Sequence, residues 1–183
     1  MKNTKKSFTL VELLCATALV VILAGIGFSA YSYASHRGKE AATKSLITRI
    51  AAGLETLKTK HGFYPASTSY ADIRVTVNSN TGLITAISFG STPVSDAKQL
   101  KDFLAVADGE NLKKYVANDL LTDAWGGPIK YKYPGSINTV KFDIVAPGAD
   151  EGFGTAAAGT PPAPLSSYQT NGEWACDDIA NFQ

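Results

Sequence analysis

From Leu13 to Ala34 the chain runs through 22 positions without a charged side chain. As a helix rising ~1.5 Å per residue this run is ~33 Å long, enough to cross a ~30 Å hydrocarbon core. Lys2, Lys5 and Lys6 precede it. By the positive-inside rule they keep the N-terminus cytoplasmic and send the bulk of the chain to the other side. Charge is segregated beyond the run as well. His36 to His61 holds Arg37, Lys39, Lys44, Arg49, Lys58 and Lys60 against Glu40 and Glu55, a net of +4. After Lys141 there is no Lys or Arg, and Asp143, Asp150, Glu151, Glu173, Asp177 and Asp178 leave a net of −6.

Composition narrows the function classes. A length of 183 residues with 45% apolar and 18% charged residues fits one folded domain with an appendage, not a disordered chain. The formal charge of +1 argues against a dedicated nucleic-acid binder. Two cysteines exclude a disulfide-rich scaffold, and Cys15 and Cys176 are too far apart along a helical layout to pair. No Walker loop, nucleophile elbow, His-Glu-x-x-His or dinucleotide fingerprint is present, so no enzyme is expected.

The entry to the apolar run is unusual. Glu12 stands at its start, after Phe8-Thr9-Leu10-Val11. A carboxylate within a bilayer costs a few kcal/mol when deep, so such a group is normally given a partner. Lys6-Ser7-Phe8-Thr9-Leu10-Val11-Glu12-Leu13-Leu14 resembles the cleavage and methylation motif of type IV prepilins and of the pseudopilins of type II secretion. The resemblance implies cleavage between Ser7 and Phe8 by a membrane peptidase, and methylation of the new amine. Ser7 departs from the glycine usual there. A subunit staggered along a filament sets its Glu12 against the Phe8 amine of a neighbour, an ion pair that selects subunit addition by charge neutralisation. The competing reading is an ordinary secretory signal cut after Ser32-Tyr33-Ala34, which leaves an anchored or secreted periplasmic binding module.

No proline occurs before Pro65, so one helix is expected from about Phe8 to His61, capped by Gly62. Leu46, Ile47, Ile50, Leu54 and Leu57 give its second half an apolar face, and Gly25, Gly27 and Gly38 are places where it could bend or pack closely. Strands are expected at Ile73 to Val77 and Leu83 to Phe89, around the turn residues 78–82. Ser95 is expected to cap a helix through about Ala107, and a second short helix to run from Asn111 to Leu121. Further strands are expected at Ile129 to Tyr133 and, from alternation, Thr139 to Ala146.

Two later segments extend the resemblance. Asp123-Ala124-Trp125-Gly126-Gly127-Pro128 is similar to the Asp-x-Trp-Gly-x-Pro turn of major pseudopilins; physically it is a tight turn under an aromatic cover. Asp143 to Asp150 and Cys176 to Phe182 resemble the two segments that hold a calcium ion in that family. The resemblance implies Asp150, Asp177 and Asp178 as carboxylate ligands and the Pro147 carbonyl as a further one, chemistry that suits an oxygen-seeking cation. The Gly-, Ala- and Pro-rich residues 151–175 must fold back for the two segments to meet.

The expected fold is therefore α+β and type IV pilin-like: a long N-terminal helix, a small antiparallel sheet and a calcium-type C-terminal loop. Residues 1–7 form a leader, 8–35 the transmembrane and assembly helix, and 36–183 a periplasmic domain. The expected role is that of a subunit of a type II secretion pseudopilus, anchored once in the inner membrane of a bacterium. The implied partners are copies of itself, the prepilin peptidase, the inner-membrane assembly platform and minor pseudopilins. A type IV pilin for adhesion, motility or DNA uptake is the alternative within the superfamily. The basic helical region and acidic tail suggest contacts between neighbours, with Lys58 and Lys60 as the first residues to reverse.

Overall fold

The computed structural model describes residues 9–155, 159–161, 165–171 and 173–182. Ser7 and Phe8 lie outside them. By contacts the chain divides into Met1–Gly38 and Lys39–Gln183.

Helix α1 (Leu10–His61) is uninterrupted. Its residues up to Gly38 are exposed, among them Leu10 at 75% and Ile22 at 58%. It is the described helix long and apolar enough to cross a membrane. A Cβ on Gly25, Gly27 or Gly38 would meet nothing within 4 Å, so these glycines serve no packing within the chain. Past Lys39 the same helix buries Thr43, Leu46, Ile47, Ile50, Gly53, Leu54 and Leu57. Gly62 ends it with φ +84°, a left-handed position that glycine adopts without a Cβ clash.

The Lys39–Gln183 unit is built on an antiparallel sheet. β1 (Ser67–Val77), β2 (Ile84–Phe89) and β3 (Thr92–Val94) form its first part. α2 (Ala97–Ala107) and α3 (Gly109–Lys113) follow. The short β4 (Val116–Ala117) and β5 (Leu120–Leu121) then lead to β6 (Lys130–Tyr133) and β7 (Asp143–Ala146). β8 (Gln169–Thr170) and β9 (Glu173–Trp174) make a separate hairpin before β10 (Ile179–Ala180). Strand order is β10-β7-β6-β1-β2-β3, with β5 attached to β1. The main core lies where α1 and α2 meet the sheet, around Ile50, Leu54, Ile73, Phe89, Phe103 and Tyr131. A Cβ on Gly53 would sit 2.7 Å from the Phe103 ring, so helix and ring approach as closely as glycine allows.

Three local expectations change. The cap of α2 is Asp96, not Ser95: its carboxylate accepts the Lys98 and Gln99 amides. The helix expected over Asn111 to Leu121 stops at Lys113. Asn118 and Asp119 both take positive φ and turn the chain into the β4–β5 hairpin, and Val75 N–H donates to the Asp119 carbonyl. The strand expected from Thr139 begins only at Asp143. The buried Asp143 carboxylate accepts the Ile137 and Asn138 amides at 2.8 and 2.9 Å and the Tyr70 hydroxyl at 2.8 Å. That curls residues 135–142 into a loop and leaves Val140 87% exposed.

Candidate functional site

The first candidate region is the start of α1. Thr9 precedes the helix, and Glu12 reaches back to it. The Thr9 N–H and hydroxyl donate to Glu12 Oε2 at 2.8 and 2.9 Å, and the Glu12 N–H donates to Thr9 Oγ1 at 3.2 Å. This is a capping box, in which two otherwise orphaned helix-start donors are satisfied reciprocally. It holds a carboxylate at the positive end of the helix dipole. The Thr-x-x-Glu spacing of this box is legible in the sequence itself, at Thr9 and Glu12.

The second region is the turn 123–128 and the acidic end that it supports. Asp123 is 3% exposed. Its Oδ1 accepts the Trp125 and Gly127 amides, each at 2.9 Å, and its Oδ2 accepts the Gly148 amide at 3.0 Å. Burial pushes its carboxyl up from the ordinary value, and these amides act in the other direction. One side chain thus joins the tight turn to the loop after β7. The Ala124 N–H donates to Thr43 on α1, and Trp125 packs on the main core with the Lys39 ammonium 6.0 Å from its ring centroid.

The acidic segments do meet. β10 pairs with β7 through Ile179 and Ala146, and Asn181 clasps the same strand through the Ile144 amide and Phe142 carbonyl. Residues of the 151–175 excursion fold back over β7. Tyr168 is fully buried, stacked on Trp174 at 5.4 Å and edge-on to Phe182 at 5.5 Å, in a second small core with Val145 and Phe153. β7 is therefore buried on both faces, which a solvated tail would not provide.

Within this end, Pro147 is buried and Asp150 lies on the 3₁₀ turn Gly148–Asp150. Asp177 Oδ2 accepts the Ala149 and Asp150 amides. Asp150 Oδ1 accepts the Gly152 amide at 2.8 Å, and Asp178 Oδ2 accepts the Gly154 amide at 2.7 Å. Asp178 is 1% exposed. Burial pushes its carboxyl up to about 6, and the neighbouring charges of Asp177 and Asp150 add to the rise. A Cβ on Gly148, whose φ is +75°, would lie 2.4 Å from the Asp177 carbonyl oxygen. In kind these donors suit a hard cation: all are oxygens, the charges are adjacent and the backbone is irregular. As folded, each of the three aspartates accepts a backbone amide, and no three acidic, His or Cys side chains converge on a metal position among the described residues.

Comparison with known proteins gives two family matches. Residues 87–160 match the family described as type II secretion system (T2SS), protein G. Residues 2–28 match the prokaryotic N-terminal methylation motif. Together the two matches support a type II secretion pseudopilin. The protein G match covers β3 to β7, the turn around Asp123 and the loop of Pro147, while the methylation motif covers the Thr9–Glu12 box. No curated protein and no solved structure matches the chain. The chain has the α+β, pilin-like layout of a long apolar N-terminal helix followed by a small antiparallel sheet. The two matches fit a pseudopilus subunit, and the apolar helix fits a membrane anchor.

Proposed function

We propose that this chain is a structural subunit of a type II secretion pseudopilus. It waits in the inner membrane with residues 36–183 in the periplasm, loses residues 1–7, and is drawn by the assembly platform into a periplasmic fibre that drives protein export. Minor pseudopilins would cap or initiate the fibre, and the subunit has no enzymatic role. One observation carries the reading. The apolar half of α1 exposes Leu13, Val20, Leu23 and Phe28 on all sides, and no described residue of its own chain covers them. Lipid covers such a surface before assembly, and other copies of the helix cover it afterwards. Glu12 then exchanges its hold on Thr9 for the Phe8 amine of the next subunit.

Peptide mass spectrometry of the protein from its native membrane tests this. A chain beginning at N-methyl-Phe8 is expected. A chain beginning at Ser35 would make it a secreted domain and end the filament reading.

Calcium is a separable part of the proposal, as a structural ion held by Asp150, Asp177, Asp178 and the Pro147 carbonyl. The net charge of −6 after Lys141 supports it, because a divalent cation relieves repulsion that backbone amides only share. Calcium at 100 times its dissociation constant should then stabilise the folded protein by about 2.7 kcal/mol, read as a rise in melting temperature that a chelator reverses. A flat titration would mean that the amides alone hold this end.

A further inference from the structure

The strand order puts two unlike surfaces at opposite edges of one sheet. At the β2–β3 edge, α2 and the start of β2 enclose an apolar groove of about 510 Å³ lined by Ile84, Ala97, Leu100, Lys101, Leu104 and Ala105. Leu83 and Val106 add apolar surface there, 60% and 43% exposed. Lys98 and Lys101 are exposed on α2 and form no ion pair among the described residues. At the β10 edge the sign is reversed. Asp150, Glu151 and Glu173 are exposed, and they too form no ion pair among the described residues. Leu165 projects at 39% exposure within the same end, and no Lys or Arg follows Lys141.

The geometry points to a second copy of this chain as the occupant of the α2 groove, entering with its β10 edge: Leu165 on the apolar floor, and Glu151 and Glu173 against Lys98 and Lys101. The inference rests on the filament reading and specifies one lateral contact within it. Unlike surfaces on opposite edges make a heterologous contact, which adds subunits head to tail, as an open helical array where the rotation does not close, instead of pairing as a twofold dimer. Lys58 and Lys60, which the sequence suggests for contacts between neighbours, are engaged inside the subunit. Lys60 pairs with Asp102 at 2.8 Å, and Lys58 donates to the Gly62 carbonyl at 3.2 Å.

The test uses the full chain assembling in its own membrane. The pair Lys98→Glu and Lys101→Glu, or the pair Glu151→Lys and Glu173→Lys, should each lower fibre yield about tenfold through like-charge contact, and the four together should restore it. In a Cys15→Ala, Cys176→Ala background, Ala105→Cys with Leu165→Cys should give an oxidised ladder of dimers, trimers and higher multimers. These two positions are surface-exposed, so folding is preserved. Fibres that form normally without a ladder, a ladder that stops at dimers, or cross-linking of Ala105→Cys only to a different protein would each overturn the inference and leave the filament reading standing. A wild-type chain that makes no fibre would overturn the reading itself.

Discussion

The two halves of α1 share one backbone and have opposite fates. From Leu13 to Ala34 the helix is without charge and no described residue covers it; from Lys39 it carries polar residues on one side and buries seven on the other. The first half is stable as a helix because a bilayer leaves backbone groups no other partner. The second half is stable because the sheet removes one face from water. Helicity therefore says little about what each half does. The difference lies in what each must find to cover it.

The sharpest way to break this comparison is to remove equivalent side chains from the two halves. Leu54→Ala should destabilise the folded unit by about 2–5 kcal/mol, since its site is fully enclosed. Leu19→Ala, at 61% exposure, should leave the unfolding transition in detergent unmoved. Equal losses in chemical denaturation would show that the first half is held by its own chain after all. A slightly smaller effect is expected for Asp123→Ala. It orphans the Trp125, Gly127 and Gly148 amides together and should cost about 2–4 kcal/mol. Limited proteolysis should then cut first after β7, where the loop loses its tie.

The smallest expected effect is one of pH, and it belongs to the second half alone. Lys141 holds the Glu55 carboxyl below its ordinary value of 4.5, against the effect of burial, and the Tyr64 hydroxyl adds to this. Lys60, with His61, holds Asp102 below 3.8 in the same way. For carboxyls with lowered folded values the stabilisation is fully present above the unfolded value and is lost as pH falls through the folded one. The contribution of these two carboxyls to the melting temperature should thus be constant near neutrality and be lost below about pH 4.5, whereas Asp178, whose folded value is raised, acts in the opposite direction. Glu55→Gln should lower the neutral plateau and shallow the acid slope. A Glu55→Gln profile parallel to wild type would remove Glu55 from this account.

The sequence by itself determined the long helix, its division into a lipid-like and a half-buried part, the Phe8–Glu12 head and the family, because these rest on runs and motifs readable within a few turns. The capping of Glu12 by Thr9 was equally local. Only the tertiary structure decided the rest. Residues 116–121 read as helix by composition, yet Asn118 and Asp119 turn them into a hairpin that joins β1 from more than 40 positions away. Val140 alternates like a strand residue, yet Asp143 draws the chain into a loop by capturing two amides. The two acidic segments meet through the pairing of β10 with β7. Whether their carboxylates face one another or face backbone amides depends on where β7, β10 and the fold of residues 151–175 place each oxygen. Hydrogen bonds between distant residues are formed only once packing has removed the water that competes for them, and no local spacing records that.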